Sequence, residues 1–143
     1  MAFGRRAAIG IGFLGLALSL LAQTGETYKA RLSAVPADAR TRPELAGIGS
    51  ASAVLAGTKL TITGSFEGLR SAATMAQLHA ASAAGIRGPV IHDLTVSPAI
   101  SGSITGSVDL TPAEIESLHK GGLYIQIHSQ KAPEGVLWGW LLR

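Results

Sequence analysis

The chain has 143 residues, 47% of them hydrophobic and 15% charged, a composition that predicts one folded domain with a packed core. Cysteine is absent, which excludes disulfides, thiolate metal sites and cysteine nucleophiles. The formal net charge of +3 includes Arg5 and Arg6 near the N-terminus, and the remaining charges form no basic stripe of the kind that nucleic acid binding requires.

The N-terminus has the pattern of an export signal. Arg5 and Arg6 precede an uncharged apolar run at 7–22, and such an order is typical of a secretory signal peptide. As a helix rising about 1.5 Å per residue, the run is also near the minimum length for crossing a bilayer. We therefore expect 1–22 to be either a cleaved signal peptide or a retained anchor in the inner membrane. In both cases the rest of the chain is exported and is periplasmic or secreted.

Most of the remaining chain is predicted to form short strands. A polar linker at 23–27 is followed by segments in which apolar residues alternate with polar ones between turn residues. These strands cover residues 28–32, 47–55, 59–69, 71–80, 90–96, 102–110, 123–128 and 136–142. The alternating pattern at 28–143 therefore predicts an all-β domain of at least six antiparallel strands, either a sandwich or a barrel.

One short helix is predicted between the sixth and seventh strands. Thr111 has the position of an N-cap, Pro112 that of the first helical residue, and Glu114 completes a capping box. Gly121 lies just after Lys120 and is a typical residue for ending a helix. The helix is too short to form a layer, so we expect it to connect two strands.

The last two strands predict a hairpin whose turn contains Pro133 and Gly135. The first arm alternates, with Leu123, Ile125 and Ile127 on one face and Tyr124, Gln126 and His128 on the other. The second arm is apolar on both faces, with Leu137, Gly139 and Leu141 on one and Val136, Trp138, Trp140 and Leu142 on the other. A strand that is apolar on both faces either lies between two layers or faces a partner.

Several motifs in this order resemble the CHRD domain, which is named after chordin and occurs in bacterial secreted proteins. The motifs are A-Q-L-H-A, G-I-R-G-P-V, L-Y-I-Q-I-H-S, P-E-G and W-G-W-L. The resemblance covers 28–142. It implies a Greek-key antiparallel β-barrel or sandwich, similar in architecture to Cu,Zn superoxide dismutase, and it implies no established enzyme activity.

Two departures from the CHRD pattern concern candidate sites. Gln77 stands where the family has the first of two histidines, and only His79 matches. In the last strand, Val136, Trp138 and Trp140 stand where the family has outward Glu, Arg and Gln. This favours outward tryptophans, although both could also belong to the core. The predicted partner-binding strip is Tyr124, Gln126, Val136, Trp138, Trp140 and Leu142.

Histidines are the candidate metal ligands. By alternation and resemblance, His79 and His128 lie on the same outward face and are expected to be neighbours. Together with His92 they could hold copper or zinc, because imidazole is a common ligand for both metals. The alternative is a hydrogen-bonded structural pair of His79 and His128. No hydrolase motif or phosphate-binding loop is present in the sequence, so no catalytic residue is predicted.

These observations predict a non-enzymatic, extracytoplasmic interaction or structural module. In its membrane-tethered form it would be an accessory subunit of a larger complex, with a protein partner and no cofactor. The alternative is a periplasmic copper- or zinc-binding protein that uses its surface histidines.

Overall fold

A computed structural model describes residues 25–143. The predicted signal or anchor at 1–22 lies outside these residues. The strands are β1 (Glu26–Ala34), β2 (Ile48–Ala56), β3 (Lys59–Glu67), β4 (Ala73–Ala80), β5 (Val90–Val96), β6 (Gly102–Asp109), β7 (Leu123–Ser129) and β8 (Leu137–Trp140). The helix α1 (Pro112–His119) joins β6 to β7, and a 3-10 turn (Arg42–Glu44) lies between β1 and β2. Within this part of the chain, no helix is long and apolar enough to cross a membrane.

The strands close into an antiparallel barrel in the order β1-β2-β3-β6-β5-β4-β7-β8, and β8 returns to β1. The closing pair is short, with Ser33 opposite Trp138 and a further bridge between Lys29 and Leu142. The predicted all-β class is confirmed, and of the two architectures the barrel is the one found. The closer likeness to superoxide dismutase stays a prediction.

The core fills the barrel with the inward residues of each strand. The predicted inward set of β3, Leu60, Ile62 and Phe66, is buried, as are Leu137 and Leu141 at the C-terminus. Burying a large apolar side chain contributes about 1.5–3 kcal/mol. Alternation therefore predicts the inner face of these strands correctly.

The predicted cap of α1 is confirmed. The hydroxyl of Thr111 accepts from the backbone N–H of Glu114 at 3.2 Å, and the Glu114 carboxylate accepts from the backbone N–H of Thr111 at 3.1 Å. After the helix, Gly121 has a φ of 76°, a left-handed conformation that glycine adopts without strain. The helix covers one end of the barrel through Leu118, which is fully buried.

The two ends of the described chain are joined at the same end of the barrel. Tyr28 donates its hydroxyl proton to Glu26 at 2.6 Å, and Arg143 forms an ion pair with the same carboxylate at 2.7 Å. His119 at the end of α1 lies 2.9 Å from it. The hydrogen bond from Tyr28 and the contact with Arg143 lower the pKa of Glu26 to about 2. The last residue is thereby held against the first strand.

Candidate functional site

An aromatic cluster lies on the outer face of β4, β7 and β8, formed by His79, Tyr124, Trp138 and Trp140. Strand register brings it together, because Tyr124 lies opposite His79 on one side and opposite Trp140 on the other. The rings of His79 and Tyr124 stack at 4.6 Å, and Trp140 lies 5.0 Å from Tyr124. The two indoles meet edge to face at 4.7 Å. Such pairs each contribute about 0.5–1.5 kcal/mol beyond the area that they bury.

A cover loop at 81–89 closes over this cluster. The hydroxyl of Tyr124 accepts from the backbone N–H of Gly88 and donates to its carbonyl oxygen, both at 3.1 Å. Nδ1 of His79 lies 2.9 Å from the same oxygen and donates to it in the matching tautomer. Tyr124 is consequently only 1% exposed. The expectation that it borders an exposed strip is therefore wrong.

A second cover comes from the turn between β7 and β8. The side-chain amide of Gln126 donates to the carbonyl oxygen of Glu134 at 2.9 Å. Gly135 has a φ of 129°, and a side chain there would collide with the Gln126 amide. Gln126 is therefore buried as well. The expectation that it borders an exposed strip is wrong, because a turn lies over it.

Val136 is a further correction to the predicted strip. It is fully buried and belongs to the core. Its carbonyl oxygen accepts from Val35 at 3.1 Å, and its N–H donates to Ile127 at 2.7 Å. The reason is local, because β8 begins only at Leu137 and the strand alternation does not extend back to Val136.

The remaining members of the predicted strip lie side by side at the surface. Trp138 and Trp140 are half-buried, and Leu142 is 47% exposed. We call these three residues the indole wall. The guanidinium of Arg87, from the cover loop, lies 4.5 Å above the ring of Trp138. The indole nitrogen of Trp140 is buried and has no hydrogen-bond partner among the described residues. The tryptophans are thus neither core residues nor fully exposed.

The indole wall forms one side of an open groove of about 970 Å³, which we call the outer groove. Its floor is the outer face of β1, β2 and β3, and Ala84 of the cover loop also lines it. The polar side chains on the floor are Lys29, Arg31, Ser33, Ser50, Ser52, Thr63 and Ser65. None of the described residues that line the groove is acidic. Neither Lys29 nor Arg31 forms an ion pair within residues 25–143.

The histidines predicted as metal ligands are separated by the strand register. His79 lies opposite Tyr124, whereas His128 lies opposite Met75, and the pair Gln77–Gln126 lies between them. They share a face but are about 13 Å apart along the strands, so they are not direct neighbours. Each Nδ1 contacts a different carbonyl oxygen, that of Gly88 for His79 and that of Pro133 for His128.

His92 lies on β5, and its Nε2 is 3.5 Å from the Glu114 carboxylate. Within residues 25–143, no three histidine or acidic side chains are grouped so that they could hold a metal ion. Burial lowers the pKa of His79, which favours its neutral form under the cover loop.

Sequence reasoning missed the outer groove and the role of Arg87. Two signals were present in the chain. Lys29 and Arg31 alternate with inward residues on β1, and small hydroxyl residues alternate in the same way on β2 and β3. These signals became informative only once the order of the strands was known, because it places β8 and its tryptophans beside β1.

The comparisons with known proteins give one positive finding. The family model described as the CHRD domain matches residues 28–141, nearly the whole of the described chain. Searches of curated proteins and of solved structures found no match. The match covers β1 from residue 28 and all of β2 to β8, including His79, the cover loop and both tryptophans. The chain therefore belongs to the CHRD domain family.

Proposed function

We propose that this protein is a non-enzymatic, extracytoplasmic interaction module whose contact surface is the indole wall. The observation that carries the proposal is the position of Trp138 and Trp140, which line an open groove beside the exposed Leu142 instead of filling the core. Tryptophan is enriched among residues that dominate binding energy, and exposed apolar surface commonly marks an interaction site. CHRD domains are small, typically extracellular and not known as enzymes, which supports both parts of the proposal.

The partner that we propose is a protein. If 1–22 is retained as an anchor, the partner is a membrane complex of which this chain is an accessory subunit. The sequence at 1–22 supports export, either as a cleaved signal or as an inner-membrane anchor. Intact-mass measurement of the native protein distinguishes the two. A mass that lacks 1–22 would remove the anchor from the proposal and leave a periplasmic or secreted module.

The contact surface is tested with two variants of different severity. The Trp138→Arg/Trp140→Gln double variant removes both indoles, and Leu142→Ser removes only an exposed side chain and leaves the aromatic cluster in place. Ile100→Ser is the control, because Ile100 is 55% exposed and does not line the outer groove. Each protein is cross-linked in native membranes and in the exported fraction, and the cross-linked partners are quantified.

We expect the double variant to lose association roughly tenfold or more, Leu142→Ser to lose less, and the control to behave as the unmodified protein. Unchanged association in both test variants would contradict the proposal. If the double variant unfolds, Leu142→Ser decides the question, and a lack of effect there counts against the contact surface.

Binding of copper or zinc through His79, His92 and His128 stays a hypothesis, and no group of three histidine or acidic side chains among residues 25–143 supports it. Metal analysis of protein purified without a tag tests it. Stoichiometric copper or zinc that is lost in His128→Ala would support the metal hypothesis.

A further inference from the structure

The floor of the outer groove is polar and basic, whereas the indole wall is apolar. This difference indicates a ligand that has both polar and apolar surface. We propose that the outer groove binds an anionic polysaccharide, with carboxylate-bearing sugar rings lying along the indole wall. The inference rests on the proposed function in one respect, namely that the indole wall is open to a ligand. It goes beyond that function because it names the class of molecule that occupies the groove floor.

The polar floor of the outer groove carries positive charge. Lys29 and Arg31 both point outward from β1, about 7 Å apart at about 3.4 Å per residue. No acidic side chain among the described lining residues neutralises them, and neither forms an ion pair within residues 25–143. A cleft lined by charges of one sign attracts ligands of the opposite sign. Arginine in particular binds carboxylates through two parallel hydrogen bonds.

The side chains of the groove floor are arranged in a regular pattern. Strand register aligns the side chains in rows that run away from the indole wall. One row contains Leu142, Lys29, Ser52 and Thr63, and the next begins with Arg31 and continues with Ser50 and Ser65. In each row a cation lies beside the wall and short hydroxyl side chains lie beyond it. Charge and apolar surface are therefore concentrated along one side, and hydroxyl groups along the other.

This arrangement fits the surface of an acidic sugar. A hydroxyl side chain can donate one hydrogen bond and accept two, so it can pair with the ring hydroxyls of a sugar in either direction. The indoles of Trp138 and Trp140 provide apolar surface against which the C–H face of a ring can pack. The cations of Lys29 and Arg31 lie between these two groups, where a ring carboxylate would be placed.

The groove fits a polymer better than a peptide strand. At about 970 Å³ it is at the upper limit of the range for sites that hold one small ligand, and it is open to solvent. Each described strand that lines the outer groove is paired on both sides, so a peptide finds no free strand edge there to extend. Beyond the indole wall, the floor offers small hydroxyl side chains rather than apolar pockets for peptide side chains.

The test uses polygalacturonate as the probe and the full-length protein. The chain has only two tryptophans, and both line the groove, so the change in their fluorescence reports binding directly. Fully methyl-esterified polygalacturonate has the same sugar backbone without the charge and serves as the control ligand. The Lys29→Gln/Arg31→Gln variant removes the groove cations. Its matched control is Lys59→Gln/Arg70→Gln, which removes the same charge from exposed positions outside the groove.

We expect saturable binding of polygalacturonate that weakens as ionic strength rises, because the cations are exposed. The groove variant should bind roughly tenfold more weakly or worse, and the control variant should bind as the unmodified protein does. Equal binding of the methyl ester would overturn the charge argument. Equally tight binding of polyglutamate would overturn the ligand class and indicate an acidic peptide.

Failure of this inference can be distinguished from failure of the proposed function. If polygalacturonate does not bind but the indole variants still lose their cross-linked partner, the polysaccharide inference falls and the interaction module stands. If polygalacturonate does not bind and the indole variants keep their partner, both fall.

Discussion

Two strands on different sides of the barrel show how far the outer surface varies. β3 and β7 alternate in the same way, and the inward residues of both are buried. On β3 the outward residues Thr61, Thr63 and Ser65 are exposed. On β7 the outward residues Tyr124 and Gln126 are as buried as the core. The difference does not come from the strands themselves.

The difference comes from the loops that cross over β7. The cover loop at 81–89 binds Tyr124 and His79 through Gly88, and the turn before β8 binds Gln126 through Glu134. No equivalent loop covers the described residues of β3, where the outer groove stays open. One side of the barrel therefore has a second layer, and the indole wall lies where this layer ends. This boundary brings apolar and polar surface together in one groove.

The largest expected effect comes from removing the centre of the covered side. Tyr124→Ala should lower the free energy of unfolding by about 3–5 kcal/mol, as truncation of a buried aromatic residue typically does. Thr63→Ala on the open side should change it by less than about 0.5 kcal/mol. Urea unfolding of both variants measures the difference. Similar losses in the two would mean that the covered side is not a second layer.

A smaller effect should follow from lifting the cover loop. A side chain at Gly88 would collide with the carbonyl oxygen of Ala80, so Gly88→Ala should lower the free energy of unfolding by about 1–3 kcal/mol. It should also shift tryptophan emission to longer wavelength as the indoles become hydrated. Gly85→Ala is the control in the same loop. Gly85 has a φ of 82° but open space around it, so we expect a cost of about 1 kcal/mol and unchanged emission.

An emission shift in both glycine variants would show that loop strain, rather than the contact at Gly88, exposes the indoles. An unchanged emission in Gly88→Ala would show that the loop does not cover them.

The sequence predicted the barrel interior well because strand alternation depends on near neighbours. Leu137 on β8 and Leu141 just after it were assigned inward from period two alone, and both are buried. The capping box of Thr111 and Glu114 was found for the same reason, since its two members are three residues apart. Features that depend on local spacing could therefore be predicted.

The outer layer could not be predicted in this way, because it depends on contacts between distant residues. Tyr124 is covered by Gly88, which lies 36 residues away in the chain. The separation of His79 from His128 follows from the register of β4 against β7, which places His79 opposite Tyr124 and His128 opposite Met75. A shift in register changes which residues are opposite each other and is not visible in either strand alone. Alternation indicates that a residue points outward, but not whether a loop covers it.

The covered side should also respond to pH through His79. Burial lowers its pKa below the ordinary value of 6.5, so the folded protein binds this proton less readily than the unfolded chain. Stability should therefore be full above pH 6.5 and decrease as the pH falls from there toward the lower folded value. Urea midpoints at pH 7.5 and 5.0 measure the decrease. His79→Phe keeps an aromatic ring against Tyr124 and should reduce the change between the two pH values.

The same change in midpoint with His79→Phe would assign the pH dependence between pH 7.5 and 5.0 to groups other than His79, but not to Glu26. The Glu26 carboxylate titrates much lower, with a pKa of about 2, so its contribution is lost only as the pH falls below 4.5 toward 2. Measurements above pH 5 therefore separate the two groups.

The smallest expected effect concerns the boundary between the two sides. Arg87 lies over the ring of Trp138, and an exposed cation in this position contributes about 0.5–1 kcal/mol. Arg87→Ala should therefore lower stability only slightly, but it should uncover one face of the indole. Acrylamide should then quench tryptophan fluorescence more strongly, whereas Arg70→Ala, which removes the same charge from an exposed position outside the outer groove, should leave quenching unchanged. Equal quenching in the two variants would show that Arg87 does not shield the indole wall from solvent.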